Sequence, residues 1–290
     1  MGAKPRSFLA TPEGLNRLQD AKEQLNLSFT AIAAQAGVSI GTVSRLFHPE
    51  RGRRVSQSSI GAIVKALEFP PEESIFDKWF EEAHHSPFEE AKRRIEIVVR
   101  DGKNVLDLSG LSLTQLPDEF KELHCLTHLY LSRNKLTSLP KEIGQLKNLT
   151  QLSLSRNKLT SLPKEIGQLK NLTQLSLSRN KLTSLPKEIA SLVHLKRLYL
   201  SRNKLKNLPK EIKSLVNLKE LSLHRNNLDS LPLEVENLVA LEELYLTQNN
   251  FRFIPKSLGQ LPNLHRLYLD QNKIDELPKE LGKLSNLRVL

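Results

Sequence analysis

Five arginines recur at a fixed interval of 23 residues, and their side chains are the strongest candidates for binding chemistry in the chain. Glutamines occupy the next two places of this column. The arginines are Arg133, Arg156, Arg179, Arg202 and Arg225. A guanidinium is always charged and presents several donors in one plane, which suits carboxylates and phosphates. The column indicates either a surface for an anionic protein or a solvated stripe left by the copying of one repeat.

A second column, at the same interval, contains all four tyrosines of the chain: Tyr130, Tyr199, Tyr245 and Tyr268. Serines fill three of its other places, so the occupants vary while the surrounding pattern does not. Tyrosine offers a large apolar surface with one polar end, and it is enriched among residues that dominate protein interfaces. The column therefore favours contact with a protein partner.

Signals for catalysis are weak. The sequence has no G-x-x-x-x-G-K-[ST] phosphate loop. Cys125 follows His124, but neighbours in sequence need not face each other, and the adjacent pair His84 and His85 is more typical of a solvated linker than of a metal site. No set of residues forms a catalytic group. We therefore expect no enzyme, no cofactor and no bound metal.

Composition limits the class of protein. The chain has 290 residues, a single cysteine and a formal net charge of +11. One cysteine excludes a disulfide scaffold, and no apolar run is long enough to span a membrane. The first ten residues lack the apolar core of a secretion signal. We expect a folded cytoplasmic protein that does not enter a membrane, and the basic charge favours nucleic acid or anionic proteins as partners.

The two columns belong to a repeat that fills residues 104–290. Proline recurs every 23 residues from Pro117 to Pro278, asparagine recurs from Asn134 to Asn272, and residues 134–156 and 157–179 are identical. The frame is L-x-x-L-x-L-x-x-N-x-L-x-x-L-P-x-x-I/L-x-x-L. It resembles the bacterial leucine-rich repeat of the L-x-x-L-P type. The resemblance implies a curved solenoid with a parallel concave sheet, in which each such asparagine bonds backbone groups of the turn.

Within one repeat, alternation predicts a short strand over residues 129–131 with its leucines inward. Pro140 starts the return segment, which directs Ile143, Leu146 and Leu149 into the core. We expect eight repeats and a truncated ninth that stops at Leu290. That abrupt stop leaves open a longer chain. No single repeat can bury its own leucines, so the repeats must stack.

Upstream of the repeats, residues 83–103 form an acidic joint and a helix. Ser86-Pro87-Phe88-Glu89 has the sequence of a capping box, and apolar residues follow at helical spacing. We expect a helix over 87–100 that covers the N-terminal end of the solenoid.

Residues 1–82 form a separate head. Apolar spacing predicts five helices: one from Thr11-Pro12, one over 29–35 capped by Ser28, one capped by Ser39, one capped by Ser56, and one through Ile75, Phe76 and Trp79. Gly37 can adopt the left-handed conformation that the turn after the second helix needs. The expected class is α+β multidomain, an all-α five-helix head followed by the solenoid.

The string from Ala36 to Leu46, AGVSIGTVSRL, resembles lambda-repressor-like and lactose-repressor-like helix-turn-helix domains. The resemblance implies that the third helix enters the major groove of duplex DNA. Ile40, Gly41 and Arg45 match positions that face base edges, with Arg45 as the main reader of guanine. Phosphate contacts would come from Ser28, Ser39, Thr42, Ser44, Arg51, Arg53 and Arg54. Such heads usually work as dimers.

One departure from that family leaves an alternative open. Phe29 stands where many of these domains have a polar residue that touches the DNA backbone, so the head could serve protein contact instead. The hypothesis for the whole chain is a DNA-binding regulator whose repeats bind a protein on the concave face. The alternative is a protein-interaction scaffold, or the sensor part of a larger signalling protein.

Overall fold

The computed structural model describes residues 7–10, 12–48, 55–68, 80–82 and 87–290. The chain divides into two compact units, Met1–Ser86 and Pro87–Leu290. Each unit buries an apolar cluster of its own.

The first unit has four helices among its described residues. They are α1 Pro12–Gln24, α2 Phe29–Ala36, α3 Ile40–Phe47 and α4 Gln57–Ala66. Their buried faces meet in one core, which includes Leu18, Ile32, Val43, Leu46 and Ile60. The fifth predicted helix, through Ile75, Phe76 and Trp79, lies outside the described residues.

The predicted helix caps in this unit are confirmed. The hydroxyls of Ser28, Ser39 and Ser56 accept hydrogen bonds from the third amide of the following helix, at 3.1, 3.1 and 3.2 Å. Gly37 ends α2 with φ 64°, the left-handed conformation that glycine adopts without steric cost. The turn between α2 and α3 is therefore set by the local sequence.

The prediction that the head is all-α is wrong. Strands β1 Ser7–Ala10, β2 Val55–Ser56 and β3 Phe80–Glu82 form an antiparallel sheet in the order β2-β1-β3. Strands of two to four residues are too short to show alternation, and their partners lie far apart in sequence. Periodicity reports local structure, so it could not reveal this pairing.

The second unit is built around an eight-stranded parallel sheet with one strand per repeat. The strands are β4 Val105–Asp107, β5 His128–Tyr130, β6 Gln151–Ser153, β7 Gln174–Ser176, β8 Arg197–Tyr199, β9 Glu220–Ser222, β10 Glu243–Tyr245 and β11 Arg266–Tyr268. They pair in chain order and in register, so that Leu129 lies beside Leu152. Further on, Val289 bridges Arg266 in parallel.

Each strand is followed by a return segment that contains a 3-10 helix directly after the repeated proline. These helices span Asp118–Glu122, Lys141–Gln145, Lys164–Gln168, Lys187–Ser191, Lys210–Ser214, Leu233–Asn237, Lys256–Gln260 and Lys279–Lys283. The prediction that Pro140 starts the return segment is confirmed. Ile143, Leu146 and Leu149 are buried as expected. The leucines of all repeats form one continuous core.

The repeated asparagines bond backbone groups of adjacent repeats, as the resemblance implied. Asn134 Nδ2 donates to the carbonyl oxygens of Leu108 and Leu131 at 2.8 and 2.9 Å, and its Oδ1 accepts from the amide of Leu113 at 3.0 Å. The later asparagines of the column repeat this arrangement. Because the side chains satisfy buried backbone groups, the turns can pack against each other without unpaired polar atoms.

Helix α5, Pro87–Arg100, packs against the first repeat of the second unit. Ala91, Ile95 and Val98 join the leucine core. Arg94 Nη1 donates to the carbonyl oxygen of Asp107, at the end of β4, at 2.8 Å. The helix thus covers apolar surface of the first repeat that would otherwise face water. None of the helices in the described part of the chain has the length and hydropathy of a membrane span.

Candidate functional site

The outer face of the parallel sheet carries the side chains that point away from the leucine core. In β5 the pattern is simple: Leu129 is buried, and His128 and Tyr130 on either side of it are partly exposed. The other strands repeat the pattern except β9, where Ser222 is buried, so nearly every repeat contributes two outward residues. We call this surface, together with the second and third residues that follow each strand, the sheet face.

The four tyrosines lie in one column of the sheet face, as the interval predicted. The pairing register places Tyr245 beside Tyr268, and the two rings stack with centroids 4.8 Å apart and planes 6° apart. Tyr199 donates its hydroxyl proton to Glu220 at 2.8 Å, and Tyr245 donates to Glu243. These rings are fixed before any partner binds, which lowers the entropic cost of association.

The same contacts raise the pKa values of Tyr199 and Tyr245. Burial and the hydrogen bond to Glu220 raise the pKa of Tyr199 to about 12. Burial and the contact with Glu243 also raise the pKa of Tyr245 above its usual value. At neutral pH both phenols are therefore protonated donors.

A further column of the sheet face was missed by the reasoning from sequence. It precedes the central leucine of each strand and holds His128, Gln151, Gln174, Arg197, Glu220, Glu243 and Arg266. Arg266 pairs with Glu243, and Arg197 lies 3.8 Å from Glu220. Alternation along the strand was the signal for this column, because both residues beside a buried leucine must face outward. The later repeats are thus rich in tyrosines and paired charges.

The arginine column lies in the turn after each strand. Its seven residues, Arg133, Arg156, Arg179, Arg202, Arg225, Gln248 and Gln271, have φ angles between 56° and 59°. Residues other than glycine rarely adopt this left-handed conformation. The turn at Arg133 precedes Asn134, whose side chain must reach the backbone inside the solenoid. The backbone geometry is therefore imposed by the asparagine ladder.

The arginine column carries uncompensated positive charge. Within the described residues, none of its five guanidiniums forms an ion pair with a carboxylate. Desolvation and the charges of Arg179, Arg225 and Arg156 lower the pKa of Arg202. His224 lies beside this column, and desolvation together with Arg202, Arg225 and Arg179 lowers its pKa. The arginines repel one another and attract anions.

Small hydroxyl side chains fill places of the tyrosine column and the space between it and the arginine column. Ser132 and Ser153 are joined by a hydrogen bond of 2.7 Å, and Ser201 and Ser222 by one of 2.6 Å. His224 Nδ1 lies 2.9 Å from the hydroxyl of Ser201. We call the six serines of β5–β8 and their following turns the serine strip. They are Ser132, Ser153, Ser155, Ser176, Ser178 and Ser201.

In the head, some of the residues implied to face base edges are exposed, whereas Arg45 is hydrogen-bonded to its own helix. Ile40 is 51% exposed and Gly41 is exposed at the start of α3. Arg45 turns back along its own helix, where Nε donates to the carbonyl oxygen of Gly41 at 3.0 Å and Nη2 donates to Thr42 Oγ1 at 2.8 Å. The expected main reader of guanine therefore has two of its five donors engaged within α3.

Among the residues implied to contact phosphates, some are likewise engaged in local hydrogen bonds and others are exposed. The hydroxyls of Ser28 and Ser39 accept the capping bonds, and Thr42 Oγ1 lies 2.9 Å from Ser39 Oγ. Ser44 is partly exposed on α3. The three arginines expected in the following loop, Arg51, Arg53 and Arg54, lie outside the described residues.

Phe29, the departure from the helix-turn-helix pattern, has a structural role. Its ring lies 5.0 Å from the ring of Phe47 and packs against the core of the head. Lys22 Nζ lies 5.5 Å from its centroid. The aromatic side chain joins α1, α2 and α3, so it is not offered as a free surface group.

The parallel sheet, the 3-10 returns and the asparagine ladder define a leucine-rich-repeat solenoid. A family model described as "Leucine rich repeat" matches residues 125–182, 147–205 and 170–228, and one described as "Leucine-rich repeat region" matches residues 209–290. The chain is a leucine-rich-repeat protein. No curated protein matches it.

Solved structures similar to this chain are also leucine-rich-repeat or receptor proteins. A leucine-rich-repeat protein of Leptospira interrogans is 38% identical, with TM-score 0.52, over 67% of this chain and 62% of that one. The ectodomain of the Arabidopsis thaliana receptor kinase GASSHO1/SCHENGEN3, in complex with CASPARIAN STRIP INTEGRITY FACTOR 2, is 35% identical, with TM-score 0.56, over 61% and 22%.

The plant peptide hormone receptor RGFR1, in complex with RGF2, is 33% identical, with TM-score 0.58. The alignment covers 67% of this chain and 33% of the receptor. The chain thus spans less than two thirds of the length of all three similar proteins.

Proposed function

We propose that this chain is a protein-interaction module that binds a protein or peptide on its sheet face, the surface expected to be concave. The observation that carries the proposal is the stacked pair Tyr245 and Tyr268, fixed in place beside paired charges. Two similar receptor structures were solved in complex with a partner, and one of them is a peptide hormone receptor, which supports the same mode here. The proposal includes no chemical reaction.

Two properties of the sheet face favour binding: the tyrosines have a large contact area, and their side chains are already held in place. Tyrosines contribute large apolar contact area and lose few rotamers on binding. The hydroxyls of Tyr199 and Tyr245 already donate to glutamates of the same face, so a partner meets an arranged set of groups. The identical repeats present the same residues twice, whereas β8, β9 and β10 differ from one another, and β11 returns to the outward residues of β8. Specificity should therefore come from β8–β11.

The test begins with peptides selected from a random display library against the full-length protein. Their affinity is then measured by fluorescence anisotropy on the wild type, on Tyr245→Ala and on Tyr268→Ala. We expect losses of about tenfold or more, because central aromatic anchors typically contribute above about 1.4 kcal/mol.

Phe253→Ala is the matched control, since Phe253 is 68% exposed and lies outside the sheet face. Peptides that bind both tyrosine variants as tightly as the wild type would contradict the proposal. A loss confined to the tyrosine variants supports it.

A second candidate function is duplex DNA binding by the head. The observation in its favour is the turn at Gly37 together with the exposed Ile40 and Gly41 at the N-terminus of α3. A helix N-terminus attracts phosphates, and small residues there allow close approach to a groove. The internal hydrogen bonds of Arg45 count against strong base reading, and the alternative use of the head is protein contact.

The structure offers a matched pair of variants for this candidate. A side chain at Gly41 would meet only Ser39 Oγ at 3.7 Å, and one at Gly61 of α4 would meet nothing within 4 Å. Gly41→Glu places a carboxylate where DNA would lie, whereas Gly61→Glu makes the same charge change elsewhere in the head. Full-length protein is titrated with random duplex DNA at low and moderate salt.

If α3 binds DNA, Gly41→Glu abolishes binding, Gly61→Glu preserves it, and Arg45→Ala removes any enriched sequence. Equal effects of both glutamates would show that only net charge matters. Specific DNA binding would also raise the question of a homodimer, which a sedimentation measurement on the bound protein would answer.

We further infer a cytoplasmic location, supported by the single exposed cysteine, Cys125. The type of repeat also agrees with the alternative that the chain is the sensor part of a larger bacterial signalling protein. Attachment of a fluorescent protein and microscopy in a bacterial host would test the location.

A further inference from the structure

The arginine column is bounded in a way that defines the length of a ligand. It begins at Arg133, after β5, and ends at Arg225, after β9. Gln248 then takes the place of an arginine, and its side chain accepts a hydrogen bond from Arg225 Nε. The column therefore offers five positive charges in five consecutive repeats, followed by a neutral end.

The column borders a surface that is suited to receiving carboxylates. The serine strip runs beside it over β5–β8, and the partly exposed hydroxyls of Ser155, Ser176 and Ser178 are donors that can rotate toward a ligand. Between Tyr130 and Tyr199 the tyrosine column holds only Ser153 and Ser176, so no bulky side chain interrupts the strip. A narrow polar strip with positive charges along one edge fits an extended chain better than a folded domain.

We propose that an extended acidic peptide segment of about six residues binds along the serine strip, with its carboxylates facing Arg133 to Arg225. The length follows from strand spacing. Neighbouring strands lie about 4.8 Å apart, so five repeats span about 19 Å, and an extended peptide advances about 3.3 Å per residue. The inference rests on the proposed function, because it names the chemistry of the partner on the same face.

Two observations favour a peptide over a nucleic acid. Single-stranded nucleic acid gains most of its base-binding energy from stacking on aromatic rings, and the strip has no ring between Tyr130 and Tyr199. Beyond the arginine column, Glu243 occupies the sheet face and would repel phosphates that continued along it. A peptide can change from acidic to aromatic or basic residues at this point.

The experiment measures the binding of glutamate-rich peptides of about three, six and nine residues to the full-length protein. Affinity should rise about tenfold or more between the first two lengths and change less than about twofold between the last two, because only about six residues fit beside the column. An oligothymidine of similar length is the comparison probe.

The chain supplies a conservative variant and its control. Arg156→Gln/Arg179→Gln introduces the residue that the same column already carries at positions 248 and 271, so the left-handed turns are kept. Lys164→Gln/Lys187→Gln makes the same charge change on exposed residues of the 3-10 helices. We expect about tenfold weaker binding of the six-residue peptide to the arginine variant and less than a twofold change for the lysine variant.

Three outcomes would overturn the inference: equal losses for both variants, affinity that keeps rising with peptide length, or tighter binding of the oligothymidine with the same dependence on the arginines. These are distinct from failure of the proposed function. Library peptides that depend on Tyr245 and Tyr268, without binding of acidic peptides, would leave the proposed function standing and reject this inference alone.

Discussion

The side chain of Asn180 reaches the backbone of Leu154 in the repeat before it: Asn180 Nδ2 donates to the carbonyl oxygen of Leu154 at 3.0 Å. That carbonyl also accepts from Asn157 Nδ2, at 3.0 Å. One carbonyl thus links two successive asparagines, and the same arrangement recurs along the solenoid. The repeats are therefore joined by buried hydrogen bonds as well as by leucine packing.

Asn180→Ala should destabilise the protein by about 3 kcal/mol. The substitution leaves the buried amide of Leu159 without its acceptor and removes both donated bonds, and an unsatisfied buried group costs about 1–3 kcal/mol. Urea denaturation followed by circular dichroism measures the change. Asn171→Ala is the control, because Asn171 is exposed and donates one bond, to the carbonyl of Lys147. Its cost should stay below about 1 kcal/mol, and equal costs would contradict the role of the ladder.

Gly167→Ala should destabilise the protein by about 1–3 kcal/mol, the usual cost of forcing extra atoms into a packed site. A Cβ at position 167 would lie 2.5 Å from the carbonyl oxygen of Glu188 in the next 3-10 helix. Gly282 occupies the equivalent place in the last repeat, where a Cβ would meet nothing within 4 Å. Gly282→Ala should be neutral or slightly stabilising. Thermal denaturation compares the two, and similar melting temperatures would contradict close packing of the returns.

The solenoid was predictable from sequence because the same residue types recur at a fixed interval. Each Asn134-type residue, each Pro140-type residue and each buried leucine has a fixed function in the repeat, so the frame is preserved through the copies. The helix caps of the head were predictable for a similar reason, since Ser28 and Ser39 act on amides three residues away. These features depend on local chemistry.

The parts that escaped prediction depend on backbone geometry or on distant contacts. A glycine in the sequence would have indicated a left-handed turn. Arg133 adopts this conformation because of its neighbours, and its residue type does not predict it. The internal hydrogen bonds of Arg45 depend on side-chain conformation. The pairing of β1 with β3 joins residues about seventy positions apart. The role of Glu243 follows from alternation, but only the register shows its contact with Arg266 in the next repeat.

His224 should make the stability of the protein depend on pH. Its pKa is lowered by desolvation and by Arg202, Arg225 and Arg179, while Ser201 and Ser222 contact its Nδ1. The unfolded state therefore binds a proton more readily, and stability should fall as the pH drops below about 6.5, the usual value for histidine. Proton NMR of the imidazole should show a midpoint below that value in the wild type.

Matched variants separate the effect of burial on the pKa of His224 from the effect of neighbouring charges. Arg202→Gln should raise the pKa of His224, because one neighbouring positive charge is removed. His224→Gln should flatten the dependence of stability on pH below about 6.5, whereas His194→Gln, at an exposed site on the return side, should change it little. An unchanged midpoint in Arg202→Gln would show that the arginine column does not act on the sheet face.

Arg179→Gln should stabilise the protein at low ionic strength. The arginine column has no carboxylate partner within the described residues, so removing one charge relieves repulsion from its neighbours on either side. The Debye length shrinks from about 30 Å at 0.01 M salt to about 8 Å at 0.15 M, and the gain in melting temperature should fade over this range. Arg266→Gln is the contrasting variant, because Arg266 pairs with Glu243. It should not raise the melting temperature at either salt concentration, and a rise equal to that of Arg179→Gln would show that overall net charge, rather than the unpaired column, sets the effect.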